Sequence, residues 1–102
     1  MTQFEIVISE QANKDIQNLS DAIMFQYEAP VTAFKYVQGL LDEIKKLKTN
    51  ADTFSIQTHK YFFQYGSNIM RLNYKKMTVI YTIIDNMVYV LRVVPSSSIK
   101  AY

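Results

Sequence analysis

The chain has 102 residues, 49% hydrophobic and 20% charged, with 11 basic and 9 acidic side chains and a net charge of +2. That balance excludes a disordered chain, and the length predicts one domain, residues 1–102, with a single core. Cysteine is absent and histidine occurs once, which excludes disulfides and thiolate metal sites and gives no basis for a metal or other cofactor.

The charge is unevenly placed. Residues 1–50 hold five lysines against seven acids, a net −2, whereas residues 51–102 hold six bases against two acids, a net +4. The second half is thereby biased toward anionic partners, although far less than a dedicated DNA-binding domain, and an uneven solvated surface explains the asymmetry equally well. The start, Met1-Thr-Gln-Phe-Glu-Ile6, lacks the basic and apolar regions of a signal peptide. No apolar run nears the ~20 residues that span a bilayer, so a cytoplasmic protein with no membrane partner is expected.

Phe4, Ile6 and Ile8 alternate with Glu5, Val7 and Ser9, the period of a short strand. Ser9 stands as the N-cap of a helix whose apolar residues Ala12, Ile16, Leu19, Ile23 and Tyr27 recur every three or four positions. Glu28-Ala-Pro30 ends it, and Pro30 suits the first position of a second helix over residues 30–48. Phe34, Val37, Leu41, Ile44 and Leu47 form the apolar stripe of that helix, widened by Ala33 and Leu40, with Lys45, Lys46 and Lys48 complementing its dipole. The short link predicts an antiparallel helical hairpin.

Residues 49–58 read as a polar connector. Tyr61, Phe63 and Tyr65 alternate with Phe62 and Gln64, which predicts a strand. Gly66-Ser-Asn68 is turn chemistry, and three further strands follow over residues 69–74, 78–84 and 87–94. Lys75-Lys76 and Asp85-Asn86 join them as tight turns, Pro95 ends the last, and residues 96–102 are expected to fold back as a single turn. The order predicts an α+β fold: an N-terminal strand and a helical hairpin packed on one face of a mostly antiparallel sheet, the other face partly open.

Most chemistries lack their residues. The two glycines, Gly39 and Gly66, make no phosphate loop, and His59 falls in the connector without the sequence signature of a Ser/His/Asp triad. What remains is the sheet, where Lys60, Arg71, Lys75, Lys76, Arg92 and Lys100 are interleaved with six tyrosines, Tyr102 the last. Basic side chains neutralise phosphates and tyrosines stack on bases, but strand tyrosines are as often packing residues. Arg71 and Arg92 interrupt apolar strands, so each either faces a partner or is held by a carboxylate.

The segments Phe4-Glu-Ile-Val-Ile-Ser-Glu-Gln-Ala-Asn-Lys-Asp-Ile16, Leu41-Asp-Glu-Ile-Lys-Lys-Leu47 and Arg71-Leu-Asn-Tyr-Lys-Lys-Met-Thr-Val-Ile-Tyr-Thr-Ile-Ile-Asp-Asn-Met-Val-Tyr-Val-Leu-Arg92 stand in order. Together, over residues 3–95, they resemble the RelE/ParE superfamily of toxins from type II toxin–antitoxin modules, which include plasmid-stabilisation systems. The resemblance implies a hetero-oligomer with a cognate antitoxin, whose disordered segment would occupy a groove along Ile16, Leu19, Ile23, Val37 and Leu41.

Two activities are implied. RelE-like members are metal-independent endoribonucleases (mRNA interferases) that cut mRNA on the ribosome with basic residues and a terminal tyrosine or histidine. ParE-like members poison DNA gyrase. Arg71, Arg92 and Tyr102 are the catalytic candidates, and Arg71, Lys75, Lys76, Arg92 and Lys100 the candidates for binding the target or a nucleic acid. Thr78, however, falls where the nucleases place an arginine, and Ser97 near another. Each missing donor would cost a nuclease ~10²–10³ in rate, so the ParE-like reading is preferred. The alternatives are a nuclease, or a degenerate module that retains only antitoxin binding.

Overall fold

The computed structural model describes residues 3–99. Strand β1 (Glu5–Ile8) leads into α1 (Glu10–Tyr27), α2 (Pro30–Lys45) and the single turn α3 (Leu47–Asn50). After 3-10 turns at Ala51–Thr53 and Lys60–Tyr65 come β2 (Ile69–Tyr74), β3 (Met77–Ile84) and β4 (Met87–Pro95), and a last 3-10 turn at Ser96–Ser98. The sheet order is β1-β4-β3-β2, with β2, β3 and β4 antiparallel and β1 parallel to β4.

Ser9 does two jobs where strand becomes helix. Its hydroxyl oxygen accepts the Ala12 N–H at 3.0 Å, capping α1, and its hydroxyl donates to the Leu91 carbonyl at 2.9 Å, tying the cap to β4. Proline opens α2 as expected. That helix stops at Lys45, three residues short of the expected end, because Lys46 stands as a turn residue before the separate turn α3. In α3 Leu47 is buried and the Lys48 carbonyl accepts the Phe4 N–H at 2.7 Å.

The helices cover one sheet face. Ala12, Ile16, Leu40, Ile44 and Leu47 pack there on Met70, Leu72, Met77, Val79, Tyr81, Val88, Val90 and Val93. Phe34 departs from the expected stripe: it stands about 100° from Ala33 around the helix and is largely exposed.

Residues 61–65 form a 3-10 segment instead of the expected strand. His59 Nδ1 accepts the Tyr61 N–H at 3.1 Å and starts the turn, and Gly66 at φ +121° ends it. The helical period brings the Tyr61 and Tyr65 hydroxyls within 3.1 Å, and it drives Phe62 onto Ile69, Ile80 and Val94. This small second core lies on the sheet face away from the helices, so that face is less open than the sequence suggests.

Gly39 is where α2 meets the sheet edge. A Cβ there would collide with the Tyr74 hydroxyl, and the Tyr74 ring is held edge-on to Tyr36 at 5.4 Å. In an unobstructed helix a Gly→Ala change gains about 0.5–1 kcal/mol. Here Gly39→Ala is expected to lose about 1–3 kcal/mol through overpacking. A Tyr74→Phe background, lacking the hydroxyl, should recover part of that loss. Urea unfolding midpoints of the two single variants and the double variant check this.

Candidate functional site

Of the candidate cations, Arg71 and Arg92 sit on the sheet face that carries the second core. Cross-strand register aligns Arg71 with Ile80 and Ile80 with Arg92, so both arginines occupy one row of one face. A bulge between Ile80 and Tyr81 leaves Leu91 as the extra residue of β4 and sets the direction in which Arg92 leaves the strand.

Arg92 is held by a carboxylate. Its Nε and Nη2 donate to the two oxygens of Asp15 on α1 at 2.8 and 3.1 Å, and the Val93 N–H donates to the same carboxylate at 2.9 Å. Asp15 is 9% exposed and Arg92 35%. Burial alone would raise the Asp15 pKa, but the hydrogen bonds from Arg92 and Val93 outweigh it and hold the group below its ordinary value of 3.8. Tyr65 stands near the pair, and burial together with its Tyr61 partner pushes its phenol up to about 12.

Arg71 meets a neutral network. Its Nε and Nη2 donate to Asn73 Oδ1 at 3.3 and 3.1 Å, and its guanidinium lies 5.8 Å from the Phe62 ring centroid. The same Asn73 oxygen accepts the Thr78 hydroxyl at 3.0 Å, and the Thr78 and Ser96 hydroxyls are 2.8 Å apart. Thr78 is fully buried. The network therefore holds one cation and three neutral groups, with no side chain suited to moving a proton near neutral pH.

The remaining candidates are dispersed. Lys75, at φ +52° in the β2–β3 turn, places its ammonium 5.2 Å from the Tyr36 ring centroid and 5.4 Å from that of Tyr74. Lys76 lines a groove of about 400 Å³ with Leu19, Ile23, Tyr27, Tyr36 and Met77, between the helical hairpin and that turn. Of the residues expected to line an antitoxin groove, Leu19 and Ile23 thus share one. Ile16 is buried in the main core, Val37 packs against that core, and Leu41 opens onto a separate depression with Ile6, Ile8 and Lys48. Lys100 and Tyr102 lie outside the described residues.

Sequence reasoning missed Asp15, Asn73 and Ser96. Asn73 could have been found, since it stands two residues from Arg71 and hence on the same strand face. Asp15 carried no such signal, lying 77 residues from its partner.

A family described as the ParE toxin of the type II toxin–antitoxin system parDE matches residues 6–99. The chain belongs to the ParE toxin family. No curated protein sequence matches it significantly. A solved structure described as the chromosomal ParDE toxin–antitoxin system of P. aeruginosa has a TM-score of 0.76 at 15% identity, covering 91% of this chain and 96% of that one. The RelBE2 toxin–antitoxin complex of Mycobacterium tuberculosis gives 0.57 at 14% identity, with 92% and 99% covered. The structural likenesses bear out the α+β fold, and the family match bears out the superfamily that the sequence resembles.

The Asp15 site fixes a pH dependence for this ParE-family chain. A carboxyl with a depressed folded pKa contributes stability that is fully present above 3.8 and is lost as pH falls through its folded value. Asp15→Asn is expected to cost about 3 kcal/mol at pH 7, the low end for breaking a buried pair because Arg92 is partly solvated. It should also flatten the decline in stability below pH 4. Urea midpoints of both proteins between pH 7 and pH 2.5 measure the two effects; parallel curves would count against this assignment.

Proposed function

We propose that this toxin acts by poisoning DNA gyrase through protein–protein contact, and that a cognate antitoxin neutralises it. The observation that carries the reading is the ParE family match over residues 6–99. The chemistry of the sheet face supports it. In-line cleavage of RNA needs donors aimed at the developing negative charge and groups that move a proton. At the β3 position where the nuclease resemblance calls for an arginine, this chain has the buried Thr78, its hydroxyl already engaged by Asn73 and Ser96. Arg92 is neutralised by Asp15, which leaves Arg71 as the cation of the network.

The groove holding Leu19, Ile23 and Met77 supports an antitoxin segment with an apolar helix face. Lys76 at its rim favours acidic side chains on that segment. Ile23→Arg is expected to weaken antitoxin binding by ~10–100-fold while leaving the fold intact, since the residue is only half-buried. Titration calorimetry with the product of the adjacent reading frame measures it.

The target is tested by gyrase supercoiling and DNA-cleavage assays run beside primer extension on translated mRNA. The expected result is inhibited supercoiling with accumulated cleaved DNA and no mRNA cuts. Cuts in mRNA that Arg71→Ala abolishes would replace the gyrase reading with the nuclease one. Antitoxin binding without either activity would identify a degenerate module.

A further inference from the structure

The network around Arg71 converges on one neutral oxygen. Asn73 Oδ1 accepts from Arg71 Nε at 3.3 Å, from Arg71 Nη2 at 3.1 Å and from the Thr78 hydroxyl at 3.0 Å. Thr78 uses its only hydrogen there, so Ser96 is the donor across the 2.8 Å between the two hydroxyls. A carboxylate would suit the acceptor position better, since it takes more hydrogen bonds and cancels the cation. The chain has that arrangement at its other sheet arginine, where Arg92 places the same two nitrogens on Asp15. At Arg71 it has an amide of the same shape instead.

We propose that Asn73 is a positioning residue, which holds Arg71 while leaving its charge uncancelled, and that Arg71 takes an aspartate or glutamate side chain on the surface of gyrase. The proposal rests on the gyrase reading above. Asn73 fixes the Nε–Nη2 edge of the guanidinium, and the Phe62 ring centroid lies 5.8 Å from its central carbon. Among the described residues nothing accepts a hydrogen bond from Arg71 Nη1 or Asn73 Nδ2, and Arg71 has no ion pair. The edge left over, Nη1 with the second hydrogen of Nη2, is a fork matched to the two oxygens of a carboxylate.

The surrounding charges favour a carboxylate over a nucleic acid. Following a nucleic-acid backbone takes a row of cations. Here Arg92 is neutralised by Asp15, Lys75 lies over the Tyr36 and Tyr74 rings, and Lys76 lines the groove assigned to the antitoxin. Lys60 opens the 3-10 segment that covers this face and adds a second base to it. One held guanidinium with one further base answers an acidic side chain. It does not answer a line of phosphates.

Inhibition of purified gyrase by the full chain, read as the concentration that halves supercoiling, tests the assignment. Arg71→Ala and Asn73→Asp should each raise that concentration at least ~10-fold. Asn73→Asp gives Arg71 an internal partner, so its urea midpoint should equal or exceed that of the wild type. Asn73→Ala releases the guanidinium without cancelling it and should weaken inhibition less than Asn73→Asp does. The reverse order would make Asn73 a support of the fold alone and overturn the proposal. Antitoxin affinity, measured by calorimetry, should be the same in all three variants, and its loss in Arg71→Ala would assign the cation to the antitoxin instead. Fluorescence anisotropy with duplex DNA covers the remaining occupant: DNA binding that Arg71→Ala removes would also overturn the proposal. A wild-type chain without effect on gyrase sinks the gyrase reading and this proposal with it. A wild-type chain that inhibits, with Arg71→Ala and Asn73→Asp equally potent, sinks the proposal alone.

Discussion

The structure depends on how the outer edge of β4 is finished. β1 pairs with β4 only from Glu5 opposite Met87 to Ile8 opposite Val90, and there the chain leaves the sheet to become α1. Beyond Val90 the edge would present unpaired backbone groups, which are costly when partly buried. The first two turns of α1 supply the missing partners. Ser9 takes the Leu91 carbonyl with its hydroxyl, and Asp15 takes the Val93 N–H and the Arg92 guanidinium. Residues at the helix start thus do the work of a strand. They fix the angle at which α1 crosses the sheet, and with it the placement of Ala12 and Ile16 in the core.

This constraint also decides what the basic face can do. A guanidinium locked in a two-oxygen fork has surrendered the geometry by which it would grip a phosphate. Arg71, in the same cross-strand row, donates to a neutral amide oxygen and so keeps its full charge. Two arginines that look equivalent in sequence therefore differ in kind, one a structural pin and the other a cation available to a partner. Thr78 completes the contrast. It is fully buried, and lengthening it into a cation would require both Asn73 and Ser96 to release it.

The legible parts of the sequence were those written in short-range periodicity. The alternation through residues 69–94, the capping Ser9, the break at Pro30 and the tight turns at Lys75 and Asp85 each follow from neighbours one to four residues apart. Both turns take the positive φ that such two-residue links demand. Residues 61–65 misled because aromatic alternation satisfies a strand template, while the deciding facts were local hydrogen bonding from His59 and burial of Phe62 under distant Ile80 and Val94. Phe34 misled for the related reason that an apolar residue near a stripe was counted as part of it. The Asp15–Arg92 pair was illegible because only the closed fold brings those residues together. The resemblance carried the family, and the side-chain network refined which of its residues are free to act.

The hairpin tip shows why an exposed hydrophobe and a stripe residue should be kept apart. α1 has 18 residues, a rod of about 27 Å at 1.5 Å per residue, yet the part that meets the sheet ends near Leu19. The remaining two turns are supported by α2, by the exposed Gln17–Asp21 hydrogen bond at 3.1 Å and by backbone bonding. Isolated helix of that length is marginal in water, so the overhang draws little stability from its own sequence. Placing aromatic residues there adds apolar exposure that folding of the chain does not reward. A helix extended past its core is better accounted for by the groove that its Ile23 and Tyr27 line than by what it packs on the sheet.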